Sequence, residues 1–225
     1  MLTAMRRYLP FIIVVAVALL TLGSAAVLYR AKRPRLPTIS KEITSKTNDT
    51  ESIHIRGKPD ASVTLEEFGD FQCPPCGALA GPIKQIEHDY EPRLRVIFHH
   101  FPLANHQHAR EAALASEAAG LQGRFWEMHD LLYREQSVWS KTADARTLFN
   151  AYAGILGLNV ERFKNDMEGE KVKARVALDQ QHAAKLGVQN TPTIFINNQA
   201  VEPTSLNPDK LRAAVDTAVK AKPSS

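Results

Sequence analysis

Residues 68–76 read Phe-Gly-Asp-Phe-Gln-Cys-Pro-Pro-Cys, and they contain the only two cysteines of the 225-residue chain, Cys73 and Cys76. An apolar stretch typical of a strand precedes the pair, and a stretch with helical spacing follows it. Cys73 is thereby predicted at a helix start, where free backbone N–H groups and the helix dipole favour an anion. Its thiol should ionise readily and act as a nucleophile, and Cys76 is close enough to form a redox disulfide with it.

Three other interpretations of the cysteine pair stay open beside redox chemistry. A zinc site would need a second cysteine pair, which the sequence lacks, or two histidines at finger spacing. A purely structural disulfide would close too short a loop to restrict the unfolded chain much. Two inert buried thiols fit poorly with a helix that begins at two prolines, Pro74 and Pro75. Redox chemistry is the favoured interpretation.

The N-terminal part of the chain predicts a membrane anchor. After a short basic segment, residues 1–8, residues 9–29 carry no charged side chain. As a helix this stretch would be about 31 Å long, enough to cross the hydrocarbon core of a bilayer. No clear signal-peptidase site ends it, so we expect an uncleaved anchor in preference to a cleaved signal peptide. Residues 30–54 are polar, lack apolar periodicity and predict a linker.

The positive charge of the chain is concentrated near this anchor. Residues 1–58 hold ten Lys or Arg and three Asp or Glu, a charge of +7 within a total of +4, so residues 59–225 carry −3. The sequence pI of about 9.1 therefore reflects the region around the anchor. Nothing in the folded part predicts a nucleic-acid surface. Residues 55–225 are long enough for one domain with its own core.

Hydrophobic periodicity predicts an α/β domain. The expected segments are a strand at 62–68, a helix at 75–90 and a strand at 94–101, then helices at 108–119, 124–133, 143–155 and 171–186, then a strand and turn at 191–198, a return strand from Val201 and a closing helix at 209–221. The first three form a β-α-β unit suited to a parallel strand pair. The last three form a β-β-α unit.

Three sequence motifs, in order, resemble the DsbA family of thiol-disulfide oxidoreductases. They are Cys-Pro-Pro-Cys after a strand, His-Phe-Pro-Leu at 100–103 before an Ala-rich helix, and Thr-Pro-Thr-Ile-Phe-Ile at 191–196. The resemblance implies a thioredoxin fold with a helical insertion at about 104–186, between the β-α-β and β-β-α halves. In this chain the fold would be preceded by the one transmembrane helix predicted from residues 9–29. It implies a cis Pro192 against the cysteines, with the Thr191 backbone offered to substrate. A Pro192 that merely begins an edge strand is the alternative.

Further residues around the cysteines have roles that the resemblance suggests. Phe71, Pro74 and Pro75 support the motif. Glu67 stands where the family has an acidic residue, and a partly buried carboxylate there would exchange a proton with Cys76. A solvent-facing strand glutamate is the alternative. Many relatives have a histidine between the cysteines, and this chain has only prolines there. We therefore expect a Cys73 thiolate less stabilised than in strongly oxidising relatives, with the Cys76 N–H and S–H as its main donors, and a milder redox potential.

Four histidines, at positions 99, 100, 106 and 108, invite a metal interpretation. The sequence shows no carboxylate or cysteine at a spacing that completes a ligand set, so we expect loop and helix-start histidines and no metal site. No cofactor is expected either.

The favoured function is an enzyme that forms disulfides in exported proteins. Cys73 would form the mixed disulfide, Cys76 would resolve it, and a membrane partner resembling DsbB or vitamin-K-epoxide reductase would reoxidise the pair. A reductase or isomerase of the same fold, and a tethered chaperone-like binding module, are the alternatives. We expect the domain to face the periplasm or cell exterior, where disulfides persist, although the basic residues after the anchor favour the cytoplasm.

Overall fold

The computed structural model describes residues 54–221. The expectations for 1–8, for the anchor at 9–29 and for nearly all of the linker lie outside these residues. No helix within 54–221 has both the length and the apolar character needed to cross a bilayer.

Five strands form one mixed sheet with eight α-helices around it in the described residues. The elements are β1 His54–Gly57, β2 Val63–Gly69, α1 Pro74–Asp89, β3 Leu94–His100, α2 Ala109–Gly120, α3 Phe125–Arg134, α4 Gln136–Trp139, α5 Ala145–Ile155, α6 Val160–Glu168, α7 Glu170–Leu186, β4 Thr193–Ile196, β5 Gln199–Ala200 and α8 Pro208–Ala221, with one 3₁₀ turn at Pro203–Ser205. The strand order is β1-β3-β2-β4-β5. Strands β2 and β3 are parallel, whereas the other pairs are antiparallel. This is a thioredoxin-like α/β fold, with helices α2 to α7 at the place predicted for the insertion.

The structure corrects several details of the predicted elements. Strand β1 pairs with β3 and begins at His54, which the sequence assigns to the linker, and helices α4 and α6 are also additional. The return strand begins at Gln199, before the predicted Val201. Asn197 and Asn198 have φ angles of 49° and 65°, and this left-handed backbone makes a two-residue turn that returns the chain at once. Pairing therefore resumes directly after the turn, with Gln199 opposite Ile196.

Two apolar cores meet near the cysteines. One core packs α1 and α8 on the sheet through residues such as Leu79, Ile83, Leu211 and Val215. The other fills the helical insertion and extends to Phe71, Cys73 and Cys76. The cysteine pair therefore lies where the sheet with α1 and α8 packs against the helical insertion.

Candidate active site

Helix α1 begins directly after Cys73. This residue is the N-cap, with extended backbone, and Pro74 and Pro75 occupy the first helical positions. Proline is favoured there because its fixed φ suits the first turn and its missing N–H would have no intrahelical partner. Prolines also donate no hydrogen bond, so the first helical N–H available to the Cys73 sulfur is that of Cys76. The Gly77 N–H donates to the Cys73 carbonyl at 3.1 Å and closes the first turn.

The Cys73 thiol is acidified by its neighbours. A hydrogen bond from the Cys76 thiol lowers its pKa to about 6, helped by Thr191 and the Cys76 backbone N–H and opposed by burial and by the charge of Asp70. Both groups of Cys76 that were expected to act on this sulfur contribute, whereas an effect of Thr191 was not expected from the sequence. Whether this thiolate is less stabilised than in strongly oxidising relatives stays a prediction.

Cys76 has the opposite character. Its side chain is fully buried, and burial raises its pKa far above the ordinary value, followed by the hydrogen bond it donates to Cys73 and by the charge of Glu67. A group that resists ionisation is a poor attacking thiol. The two sulfurs are therefore unequal, as the predicted roles of Cys73 as nucleophile and Cys76 as resolving thiol require, and those roles stay predictions. Both are free thiols in this structure.

Glu67 is buried beneath the pair and does not face solvent. Its side chain is 2% exposed, and burial, with the nearby Cys73 charge, raises its pKa to about 8. Its Oε1 atom has no hydrogen-bond partner within residues 54–221. The residue opposite Glu67 on β3 is Phe98. This carboxyl is protonated near neutral pH and holds a proton close to the thiols.

The loop before β4 reaches the cysteines as the resemblance implies. The Thr191–Pro192 peptide bond is cis. The Thr191 carbonyl oxygen accepts a hydrogen bond from the Cys73 thiol at 3.4 Å. The structure thus brings Cys73, Cys76, Thr191 and Pro192 together across 118 residues of sequence separation. Their roles in binding substrate stay predictions.

Asp70 organises the loop before Cys73, and the sequence analysis gave it no role. Its carboxylate is buried and accepts hydrogen bonds from the backbone N–H groups of Gln72 at 2.7 Å and Leu103 at 2.9 Å. His106 Nδ1 lies 2.7 Å from the second carboxylate oxygen. An aspartate that bonds the N–H two residues later is a known turn signal, and its position three residues before Cys73 is the clue in the sequence. Asp70 thereby fixes the conformation of the loop that leads to Cys73.

Gln136, from the insertion, holds the same loop. Its Nε2 donates to the carbonyls of Phe71 at 2.7 Å and Cys73 at 2.9 Å. Gly77 leaves room for this amide, since a Cβ there would lie 2.7 Å from Gln136 Oε1. Phe71 is itself buried against the ring of Phe98. No short sequence motif marks Gln136, because it lies 63 residues from Cys73.

The four histidines do not form one cluster. His106 contacts Asp70, and His108 Nε2 contacts the Thr142 carbonyl at 2.9 Å. His99 and His100 lie buried on β3 and are not loop residues. Their acidic partners, Glu66, Glu117 and Asp179, come from other parts of the chain. The sequence showed no such carboxylates because the fold, and not sequence spacing, brings them to the histidines.

Known proteins include relatives of this chain in sequence and in fold. The family model described as thioredoxin matches residues 48–217, about three quarters of the chain. A thioredoxin-like oxidoreductase from Silicibacter pomeroyi is 28% identical, with a TM-score of 0.62 over 76% of this chain and 94% of that one. Oxidised BdbD from Bacillus subtilis is 24% identical, with a TM-score of 0.64 over 75% and 93% of the two chains, a likeness of fold.

Curated relatives add a match of a different kind. The Na(+)/H(+) antiporter NhaA 1 of Mycolicibacterium gilvum is 40% identical over 156 residues, which are 67% of this chain and 24% of the antiporter. The chain spans about a quarter of the length of the curated relatives it matches. The shared stretch is thus only part of those proteins.

Proposed function

Because the chain belongs to the thioredoxin family, we propose that it is a thiol-disulfide oxidoreductase that uses Cys73 and Cys76. The supporting observation is the inequality of the two sulfurs. Cys73 begins α1 and has a lowered pKa, whereas Cys76 is buried and has a raised one. An exchange reaction needs one sulfur that attacks or leaves easily and another that closes the disulfide.

The proposed reaction begins with the Cys73–Cys76 disulfide. A substrate thiolate attacks Cys73 Sγ, a mixed disulfide forms, and Cys76 leaves and takes up a proton. Glu67, protonated near neutral pH, is placed to supply that proton. A second substrate thiolate then attacks the substrate sulfur of the mixed disulfide and releases Cys73 as a thiolate. Two substrate thiols become one disulfide, and the cysteine pair gains two electrons.

The low pKa of Cys73 favours this oxidising direction. A stabilised thiolate stabilises the reduced enzyme, which makes the disulfide a stronger electron acceptor. A reductase or isomerase would use the same residues but would begin with the cysteine pair reduced.

We propose oxidation of exported proteins by a domain outside the cytoplasm, anchored by residues 9–29 and reoxidised by a membrane partner. The antiporter relatives share only about a quarter of their length with this chain, so ion exchange forms no part of the proposal.

Refolding of a reduced test protein separates the alternatives. Oxidised enzyme should form disulfides in reduced hirudin stoichiometrically, and catalytically when an oxidant is supplied. Cys73→Ser should abolish this activity. If the oxidised enzyme leaves hirudin reduced but the reduced enzyme cleaves insulin disulfides, the reductase alternative holds. If neither reaction occurs, the pair is not redox-active.

A further inference from the structure

Three side chains from three separate elements converge on the sheet face opposite Glu67. They are Glu66 of β2, His99 of β3 and His182 of α7, and one nitrogen or oxygen atom of each lies within 4.8 Å of the other two. Successive strand residues point to opposite faces, so Glu66 faces away from the acid that lies beneath the cysteines. This cluster is therefore separate from the thiol site. Its residue types are ligands that zinc accepts.

His99 is already oriented as a metal-binding histidine would be. Its Nδ1 lies 3.1 Å from Asp179 Oδ1, and its Nε2 is hydrogen-bonded to Glu66 Oε2 at 3.3 Å, so a bound ion would replace the proton between these two atoms. A carboxylate on one ring nitrogen fixes the tautomer and leaves the other nitrogen as the ligand, the usual arrangement behind metal-bound histidines. Asp179 is fixed in turn, because it accepts the His100 backbone N–H at 2.9 Å and pairs with Arg175.

The spacing also fits a tetrahedral ion. Ligand atoms about 2.0–2.1 Å from a tetrahedral Zn²⁺ are about 3.3–3.4 Å apart. The distance of 3.3 Å between Glu66 Oε2 and His99 Nε2 already matches this ligand-to-ligand distance. The His182 ligand atom lies within 4.8 Å of the other two, and its side chain on α7 is partly exposed. Glu66 is partly exposed as well, which leaves a path for the ion and a place for a water ligand.

A second cluster of the same composition does not fit. His54 and His100 both contact a single oxygen, Glu117 Oε1, at 2.7 and 2.8 Å. These are hydrogen-bond distances that are shorter than the edge of a zinc tetrahedron. Glu117 and His100 are also buried. This cluster is a hydrogen-bonded network within the fold.

We propose that Glu66, His99 and His182 bind one divalent transition-metal ion of the zinc type, with water as the fourth ligand and Asp179 as the orienting carboxylate. This revises the sequence-based expectation of no metal site. The ion would connect β2 and β3 to α7, the last helix of the insertion. Since α7 leads through Gly187 to the loop of Thr191 and Pro192, metal binding would also hold the insertion against the sheet.

The test is calorimetric titration of the full chain with Zn²⁺. The cysteine pair is kept oxidised, so that thiolates cannot bind the metal. We expect one ion per chain, a rise in Tm with Zn²⁺, and Co²⁺ absorption bands typical of a tetrahedral site. His182→Ala should weaken binding at least tenfold and abolish the rise in Tm, and Asp179→Asn should weaken binding about tenfold, in the range found for orienting carboxylates.

Two control variants make the outcome decisive. His88 is exposed on α1, outside both clusters, and His88→Ala should bind like the wild type. His54→Ala removes a ligand from the other cluster only. Wild-type affinity in His182→Ala, with its fold verified by circular dichroism, would overturn the proposal. So would loss of binding in His54→Ala or His88→Ala in place of His182→Ala.

Discussion

The buried acid beneath the cysteines makes a prediction that a single substitution can test. Glu67 has a folded pKa of about 8 against an ordinary value of 4.5. Because the folded state holds this proton more tightly, the contribution of Glu67 to stability is complete below pH 4.5. It declines as pH rises and is lost above pH 8. Linkage with these two values gives a loss of about 3.5 kcal/mol in the free energy of unfolding between pH 5 and pH 8.

Glu67→Gln replaces the acid by an amide of the same shape that stays neutral throughout this range. We expect the free energy of unfolding of the variant, relative to that of the wild type, to rise by about 3.5 kcal/mol from pH 5 to pH 8. The measurement is urea unfolding of the reduced protein at several pH values, followed by circular dichroism with a chelator present. Ionisation of Cys73 changes stability with pH in the opposite direction. This change occurs in both the variant and the wild type, so it largely cancels when the two are compared.

A neighbouring acid provides the matched control. Glu66 has a lowered pKa because of its hydrogen bond to His99. Its contribution to stability is present at neutral pH and is lost as pH falls through the folded pKa, so Glu66→Gln should remove stability at neutral pH. Parallel pH curves for Glu67→Gln and wild type would show that the Glu67 carboxyl is not held neutral, and the proton-donor role would fall with it.

The remaining predictions concern the cysteines and the packing around them. Cys76→Ala should accumulate mixed disulfides with substrate proteins on non-reducing gels and Cys73→Ala none; equal trapping by both would contradict the assigned roles. The thiolate absorbance of the reduced enzyme should titrate with a midpoint near pH 6, and Cys76→Ala should raise that midpoint, because Cys73 loses its largest stabilising donor. Gly69→Ala should lower the free energy of unfolding in urea by about 1–3 kcal/mol, because the added methyl group would lie within 2.9 Å of atoms of Phe98 and of Tyr133 Oη. Unchanged stability would mean that this contact relaxes freely.

Local signals in the sequence were sufficient for the outline of the fold. Two prolines after Cys73 fixed the start of α1, and apolar periodicity located most of the longer helices of the insertion. Strand β1 was missed because its four residues, His-Ile-Arg-Gly, show no useful alternation. Helix α6 was missed because its sequence is mostly polar and only Phe163 and Met167 are buried. Short or polar elements depend on tertiary packing, which periodicity does not report.

The candidate site was predicted where its residues form a motif and missed where distant contacts build it. The cysteine pair and the Thr191–Pro192 loop carry recognisable local sequences. The burial of Glu67 stayed open, because an acidic residue in a strand looks like a surface residue until the covering helices are known. The role of Gln136 could not be predicted from the sequence either, because its partners lie more than 60 residues away.

The contact between Gln136 and Gly77 makes these two positions dependent on each other in evolution. A side chain at position 77 would displace the Gln136 amide, and the carbonyls of Phe71 and Cys73 would lose their donor. A smaller residue at position 136 would make room at 77 but would release the same two carbonyls. A replacement at either position therefore removes the donor to these two carbonyls, and a second replacement at the other position does not restore it. We expect Gly77 and Gln136 to be retained together or lost together.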